Sequence, residues 1–273
     1  MKSKSLICFI LFCALLVTAV LPVSGEDSSP VAAAWDGSAD TSWYNTTDNT
    51  FTLTDAADLA GFAAIVNGTA EGIAQSNFLG KTVKLGADIL LNTGDAASWT
   101  PETEGLQAFP IIGNISEKDG AADASLQFSG EFDGQGHKIT GLTLSNSDSG
   151  LFRYTGATSY VHDLTIEGAN VLFSDNAAVL VHNNYGRIEN CAVVNTNITA
   201  DTGAVLGGMV SRNYGVIRAS FVQGGTLTSN SATSVGHAGF VGANEEGGLI
   251  ERCWTSMSVS TQSMHAAGFV GLG

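Results

Sequence analysis

Cysteine, proline and charged residues are scarce in this chain of 273 residues. It contains four cysteines and four prolines, and charged residues make up 14% of it. So low a charged fraction excludes a coiled coil and disfavours a helical bundle. Glycine is abundant instead, at 33 residues, and this favours a β-rich fold with many tight turns.

Basic residues are few relative to acidic ones. The chain has 11 Lys and Arg against 26 Asp and Glu, a net charge of −15. An acidic surface repels phosphate backbones and anionic lipids. The composition therefore predicts no nucleic-acid partner and no binding to a membrane surface.

Long apolar runs are missing except at the N-terminus. Lys2 and Lys4 precede an apolar run over residues 6–20, and Val23-Ser-Gly25 offers a cleavage point. The run is shorter than the roughly 20 residues that a membrane-spanning helix needs. We therefore predict a signal peptide over residues 1–25 and a secreted or cell-surface mature chain that does not span the membrane. The alternative is an uncleaved membrane anchor.

Residues 26–127 are predicted to form an N-terminal lead-in and capping region. Residues 26–50 are polar and are predicted to be loosely structured. One amphipathic helix is predicted to follow, with Thr54 as its N-cap and Asn67-Gly68 as its C-terminal stop. The apolar stripe of this helix is Leu59, Phe62, Ala63 and Val66. Residues 81–85 and 88–91 are predicted to be strands, and residues 92–127 loops. We expect the helix to cover the open end of a β-structure.

An internal repeat begins at residue 150. Four copies start with similar triplets, and a fifth, at Gly268-Phe-Val270, is cut off by the end of the chain. The four full copies start at Gly150-Leu-Phe152, Val179-Leu-Val181, Gly208-Met-Val210 and Gly239-Phe-Val241. Later apolar positions of the copies lie 27, 29 and 33 residues apart, at Val161, Ile188, Ile217 and Ile250. Such a period indicates a solenoid.

The pattern within a copy selects a β-solenoid. Helical apolar spacing is absent, and short β-like runs are separated by Asn and Gly, with a corner predicted at Asn190. Aligned copies give four inward columns: Leu151, Leu180, Met209, Phe240; Phe152, Val181, Val210, Val241; Val161, Ile188, Ile217, Ile250; and Ile166, Val193, Val222, Thr255. We predict an all-β fold, a right-handed parallel β-helix over residues 128–273 with an N-terminal capping region that contains the amphipathic helix.

Two cysteines, Cys191 and Cys253, lie outside the predicted signal peptide. The alignment places them in one column with Leu164 and Ser220, two coils apart, at about 9.6 Å. A disulfide needs Cα atoms within about 7 Å. We therefore predict two buried free thiols and no metal site.

The repeat resembles a known family. Gly208-Met-Val-Ser-Arg-Asn-Tyr-Gly-Val-Ile217, Ala238-Gly-Phe-Val-Gly-Ala-Asn244 and Gly186-Arg-Ile-Glu-Asn-Cys191 resemble GLUG repeats. Phe132-Asp-Gly-Gln-Gly-His-Lys-Ile-Thr-Gly-Leu142 resembles the segment that leads into them. The resemblance covers about residues 128–273. It implies a bacterial or archaeal cell-surface protein, adhesin-like, similar to the non-catalytic region of immunoglobulin A-cleaving metallopeptidases.

Catalytic patterns are not found in the sequence. The chain has no His-Glu-x-x-His, and its histidines are scattered: His137, His162, His182, His237 and His265. Polysaccharide lyases and hydrolases with this fold need clustered carboxylates. The aligned copies show a mixed outer column instead, with Glu189 beside His162, which we interpret as a solvated face. Asp133 is interpreted as a turn residue and His137 as a surface residue. We predict no enzyme activity and no cofactor.

Two outward features are candidate contact surfaces. Phe221 and Trp254 align on adjacent coils as an aromatic step that sugar rings or a partner can stack on, unless a loop or a neighbouring domain covers it. Asn184, Asn213 and Asn244 share a corner, and we predict a ladder of side-chain amides there.

These patterns predict a secreted or surface-displayed, adhesin-like module, a β-helical stalk or contact surface. Its expected partners are glycans or surface proteins of a host or neighbouring cell. A solenoid normally closes with a polar capping unit, so the interrupted fifth copy predicts a fragment of a longer protein. The alternative is the non-catalytic binding portion of a secreted carbohydrate-active enzyme or metallopeptidase.

Overall fold

Short parallel strands separated by tight corners make up most of the structure, a computed structural model. It describes residues 34–100, 102–114, 116–118, 121–145, 149–172, 176–200, 202, 205–232 and 235–273. The predicted signal peptide, residues 1–25, lies outside the described residues.

The elements follow one another in coils, and from β6 onward each coil contributes one strand to each of four sheets. The N-terminal elements are β1 (Thr50–Leu53), α1 (Ala56–Asn67), β2 (Thr82–Leu85), β3 (Ile89–Leu90), β4 (Ser116–Lys118), β5 (Ala121–Asp123), β6 (Glu131–Asp133), β7 (Lys138–Thr140), β8 (Thr143–Leu144) and β9 (Phe152–Thr155). The middle coils are β10 (Tyr160–His162), β11 (Thr165–Glu167), β12 (Asn170–Leu172), β13 (Val181–Asn184), β14 (Arg187–Glu189), β15 (Ala192–Val194), β16 (Asn197–Ala200), β17 (Val205–Gly207) and β18 (Val210–Asn213). The last coils are β19 (Val216–Arg218), β20 (Phe221–Gln223), β21 (Thr226–Ser229), β22 (Gly236–Ala238), β23 (Val241–Asn244), β24 (Leu249–Glu251), β25 (Trp254–Thr255), β26 (Ser258–Thr261), β27 (Ala266–Ala267) and β28 (Val270–Leu272).

Four parallel sheets form the walls of the solenoid. Sheet 1 has the order β1-β2-β6-β10-β14-β19-β24, sheet 2 β3-β7-β11-β15-β20-β25, sheet 3 β8-β12-β16-β21-β26, and sheet 4 β9-β13-β18-β23-β28. The three strands β17-β22-β27 form sheet 5, and β4-β5 is an antiparallel hairpin. The predicted parallel β-solenoid is confirmed, with about seven turns.

The predicted inward columns are confirmed where strand pairing defines them. On sheet 1, Val161 pairs with Ile188, Ile188 with Ile217, and Ile217 with Ile250. Phe152 heads the equivalent column on sheet 4, and Ile166 lies in that of sheet 2. The column on sheet 1 also extends upstream of the recognised repeats, through Phe51, Val83 and Phe132. Residues of the predicted lead-in therefore build the first coils.

A further column on sheet 3 was not predicted. It consists of Leu144, Val171, Ile198, Leu227 and Val259, each paired with the next. The first four are buried and Val259 is partly buried. The same repeat interval that located the other columns also relates these positions.

The helix α1 is present with a different N-cap from the predicted one. Asp55, and not Thr54, is the N-cap, and its carboxylate accepts a hydrogen bond from Asp58 N at 2.9 Å. The Asp58 carboxylate accepts in turn from Thr54 N at 2.8 Å. The arrangement resembles a capping box, except that the Asp58 side chain accepts from the residue before the N-cap and not from the N-cap itself. Gly68 ends the helix with φ of 70°, as predicted.

Helix α1 packs on the aromatic core of the N-terminal coils. The ring of Phe62 lies 5.5 Å from that of Phe128, 5.7 Å from that of Phe132 and 6.5 Å from that of Phe152. Nine of its twelve residues are buried, so its buried surface is wider than the predicted stripe. The helix therefore covers core side chains at this end, as expected.

The segment before β1 is more ordered than predicted. Trp43 packs its ring 5.5 Å from Phe51, and Trp35 is buried against Phe109. Asp40 N donates to Ala57 O at 2.9 Å. Trp35 and Trp43 therefore attach this polar segment to the core, because burial of each large aromatic ring stabilises the fold.

Asparagine residues shape the corners in two ways, by a left-handed backbone conformation and by side-chain hydrogen bonds between coils. Asn190 adopts a left-handed conformation at the predicted corner, with φ of 52°, which Asn tolerates better than most residues. The predicted amide ladder is also present: Asn184 Nδ2 donates to Asn213 Oδ1, and Asn213 Nδ2 to Asn244 Oδ1, both at 2.8 Å. Each buried amide thus finds its partner one coil away.

Both cysteines are free thiols, as predicted. Cys191 is buried. Its backbone N–H donates a hydrogen bond to Ser220 Oγ of the next coil, at 3.1 Å. Burial raises the pKa of the Cys191 thiol to about 12, and burial also raises the pKa of Cys253. Cys253 differs from the prediction in being partly exposed.

Shortening one inward side chain should destabilise the solenoid. Ile217→Ala removes a fully buried side chain between Ile188 and Ile250, and should lower the free energy of unfolding by about 2–5 kcal/mol. Val216→Ala, on the same strand but half-buried and outward, should cost less than about 1 kcal/mol. Urea unfolding followed by far-UV circular dichroism compares the two. Equal losses would contradict the stacked interior.

Candidate functional site

Outward side chains on sheet 1 stack in two columns that bring charged groups of successive coils together. One column contains Thr82, Glu131, Tyr160 and Arg187, and the other contains Lys84, Asp133, His162, Glu189, Arg218 and Glu251. Five residues near the corner with sheet 2 form what we call the polar cluster: Glu131, Asp133, Tyr160, His162 and Asp163. Register makes neighbours of Glu131 and Tyr160 and of Asp133 and His162, since equivalent positions lie about 4.8 Å apart, and Asp163 follows His162 at the corner.

His162 is the centre of the polar cluster. Its Nε2 lies 3.0 Å from Glu131 Oε1, and its Nδ1 lies 2.7 Å from Asp163 Oδ2 and 3.7 Å from Asp133 Oδ1. The ring stacks on that of Tyr160, with centroids 4.1 Å apart. His162 is 9% exposed and Asp133 7%. The expectation that the outer column with His162 and Glu189 is a solvated face is therefore wrong for His162.

Each carboxylate of the polar cluster is held by a further donor. Asp133 Oδ1 accepts from Gln135 N at 2.9 Å, which confirms its predicted role in the turn. Asp163 accepts from Asn190 Nδ2, and this hydrogen bond, followed by that of His162, lowers the pKa of Asp163. Glu131 Oε2 accepts from Thr82 Oγ1 at 2.7 Å.

Tyr160 links the cluster to the next coil. Its hydroxyl donates to Glu189 Oε2 at 3.0 Å, and the guanidinium of Arg187 lies 4.8 Å from its ring centroid while pairing with Glu189. Burial raises the pKa of Tyr160 to about 12, helped by the hydrogen bond to Glu189 and its negative charge. The phenol is therefore a hydrogen-bond donor across the neutral pH range.

An open cavity adjoins the polar cluster. Its volume is about 450 Å³, and Lys81, Glu131, Thr158 and Tyr160 are among the residues that line it. The lining therefore includes residues of basic, acidic, hydroxyl and aromatic type. Such a surface suits a polar ligand.

The predicted aromatic step lies on the outer face of sheet 2. The rings of Phe221 and Trp254 are 4.6 Å apart and inclined by 1°, and Trp254 is 47% exposed. Because the two rings stack on successive strands, Phe221 covers one face of Trp254. Trp254 also lines a second open cavity of about 430 Å³, together with Met257 and Phe269.

Of the sequence-based pair Asp133 and His137, only His137 lies apart from the polar cluster. His137 is on the surface, as predicted, with Nδ1 3.0 Å from Asp88 Oδ1. Asp133 and His137 each have other partners, so they do not form an acid–base pair. The cluster itself was missed because Glu131 and Asp133 precede the four aligned copies. The signal was present: Phe132 precedes Val161 by 29 residues, a normal repeat interval.

Comparisons with known proteins give little guidance. No family model matches the chain, and no curated protein does. A solved structure described as a "putative immunoglobulin A1 protease" from Bacteroides ovatus is similar, with a TM-score of 0.39 and 15% sequence identity over 82% of this chain and 83% of that chain. A similarity of this size transfers no activity to this chain. Among the described residues, none of the helices has the length and apolar character to cross a membrane.

The raised pKa of Tyr160 predicts a pH dependence of stability. Since the folded pKa of about 12 exceeds the ordinary 10.0, the stabilisation is fully present below pH 10 and is lost as the pH rises through about 12. Tyr160→Phe lacks the ionisable group, so above about pH 10 wild type should lose stability more steeply than this variant.

Urea midpoints of both proteins between about pH 8 and pH 11.5 measure this difference. Tyr44→Phe, in the N-terminal aromatic core, controls for removal of a phenol elsewhere. Parallel pH curves for wild type and Tyr160→Phe would contradict the account.

Proposed function

We propose that the chain is an exported, adhesin-like β-solenoid that acts as a stiff stalk and contact surface and binds glycans. Export is inferred from the basic and apolar pattern of residues 1–25. Stiffness is inferred from the continuous apolar interior, in which every coil packs on its neighbours. GLUG-type repeats are part of this proposal, on the residues that resemble them.

The observation that carries the proposal is the exposed ring of Trp254. An aromatic face held in a fixed orientation is a suitable surface for the apolar face of a sugar ring. Phe221 holds the Trp254 ring from one side at 4.6 Å. Preorganisation of this kind reduces the entropy cost of binding.

Binding, and not catalysis, is proposed for the polar cluster as well. A general acid or base must exchange a proton with a ligand within hydrogen-bond reach. Here Asp133 and Asp163 are held by Gln135 and Asn190, and His162 faces carboxylates with both ring nitrogens. These contacts favour a structural or ligand-binding role.

A second candidate is the non-catalytic binding portion of a secreted carbohydrate-active enzyme or metallopeptidase. The cavity beside Glu131 and Tyr160 favours it, because acidic, basic and aromatic residues line it. Under this alternative, polysaccharide would bind along sheet 1 instead of at Trp254.

A glycan array probed with the fluorescently labelled full chain tests the proposal. At least one glycan should bind saturably, and Trp254→Ala should weaken that binding by about fivefold or more, since truncating a central aromatic anchor costs more than about 1 kcal/mol. Tyr185→Ala is the matched control: Tyr185 is 39% exposed and stacks on Tyr214 at 4.5 Å, in a different column.

Tyr185→Ala should bind as wild type does. An array without any bound glycan, or equal losses in the two variants, would contradict glycan binding at Trp254. Loss on Tyr160→Phe with retention in Trp254→Ala would instead favour the alternative.

A further inference from the structure

We propose that the polar cluster binds a divalent transition-metal ion, with Asp133, His162 and Asp163 as ligands. The ligand atoms of these three residues lie within 4.8 Å of one another. The proposal is independent of glycan binding at Trp254. It departs from the sequence-based expectation of a chain without a metal site.

The geometry requires small movements of two side chains. Zinc binds imidazole nitrogen and carboxylate oxygen at about 2.0–2.2 Å, so two ligand atoms of a tetrahedral site lie roughly 3.3–3.5 Å apart. His162 Nδ1 is 2.7 Å from Asp163 Oδ2 and 3.7 Å from Asp133 Oδ1. The Asp163 carboxylate must therefore move away from His162 Nδ1 by roughly 0.6–0.8 Å, and the Asp133 carboxylate must move closer by roughly 0.2–0.4 Å.

Glu131 distinguishes this arrangement from an acidic patch. A metal-binding histidine usually donates its other ring N–H to a carboxylate, which fixes the tautomer and orients the ring. Glu131 Oε1 lies 3.0 Å from His162 Nε2, on the side of the ring away from the two aspartates. With Nε2–H donating to Glu131, the lone pair of Nδ1 is directed at Asp133 and Asp163.

The supporting contacts hold the ligands in place. Gln135 and Asn190 donate to Asp133 and Asp163, respectively. The Tyr160 ring covers one face of the imidazole at 4.1 Å. Sheet pairing fixes the backbone of Asp133 and His162, which lie on adjacent coils. The backbone of Asp163, in the corner between sheets 1 and 2, is held by a hydrogen bond from Asp163 N to Glu189 O at 3.2 Å.

The donor set selects the class of ion. Calcium and magnesium prefer sites made entirely of oxygen, whereas an imidazole with carboxylates suits zinc and related first-row ions. Three carboxylates surround the single imidazole, and a divalent cation would offset their charge. In the competing arrangement His162 is a protonated imidazolium between Glu131 and Asp163 and no metal binds.

Calorimetric titration of the chelator-treated, untagged full chain with zinc ions separates the two arrangements. One zinc ion per chain should bind saturably, unaffected by excess calcium. Glu131→Gln, which alters a contact to the ligand and not a ligand, should weaken binding by about 10- to 100-fold. His162→Gln should weaken binding further than Glu131→Gln does.

His137→Gln is the matched control, because His137 also contacts an aspartate but lies on the exposed surface with one carboxylate partner. This variant should bind zinc as wild type does. Absence of saturable binding, or unchanged binding in His162→Gln, would overturn the proposal. If circular dichroism shows that His162→Gln does not fold, Asp163→Asn is used in its place. Zinc binding should then be weaker in Asp163→Asn than in wild type, and unchanged binding would overturn the proposal.

Discussion

In a parallel solenoid each strand pairs only with the equivalent strands of the coils before and after it, and the rest of this structure depends on that constraint. Every inward residue lies on its counterpart about 4.8 Å away. A column such as Val161, Ile188, Ile217 and Ile250 must therefore be apolar throughout. The insertions that lengthen some repeats lie outside the paired strands, so they leave the columns intact.

The same register organises the outside of the molecule. Amides that meet in one column become the ladder of Asn184, Asn213 and Asn244, and rings that meet become the stack of Phe221 and Trp254. Charged residues from adjacent coils are likewise forced together, so that His162 lies among carboxylates. A contact surface on such a scaffold is built from residues about 27–33 apart in the chain, the intervals seen along the repeat.

Much of the fold could be predicted from the sequence, because inward columns repeat as apolar residues at a visible period. Ile188 and Ile217, which are 29 residues apart, can be identified as inward residues in this way. The first coils were harder: Val83 and its partner Phe132 lie 49 residues apart, because β3, β4 and β5 come between them, so this interval does not reveal the repeat. The polar cluster was harder still. Outward positions carry no fixed residue type. Asp163 is itself a left-handed corner residue, and an alternating strand pattern does not indicate where the side chain of such a residue lies.

Cross-linking in solution tests the in-register stacking most directly. Asn197 and Thr226 are outward register partners on β16 and β21, with Thr226 Oγ1 2.8 Å from Asn197 Oδ1. The double variant Asn197→Cys with Thr226→Cys should form an intrachain disulfide on mild oxidation, identified by peptide mapping. Asn197→Cys with Thr228→Cys should not, because that offset places the Cα atoms about 8 Å apart, beyond the reach of a disulfide. Equal bridging of both pairs, or bridging of the offset pair alone, would contradict the stacked coil.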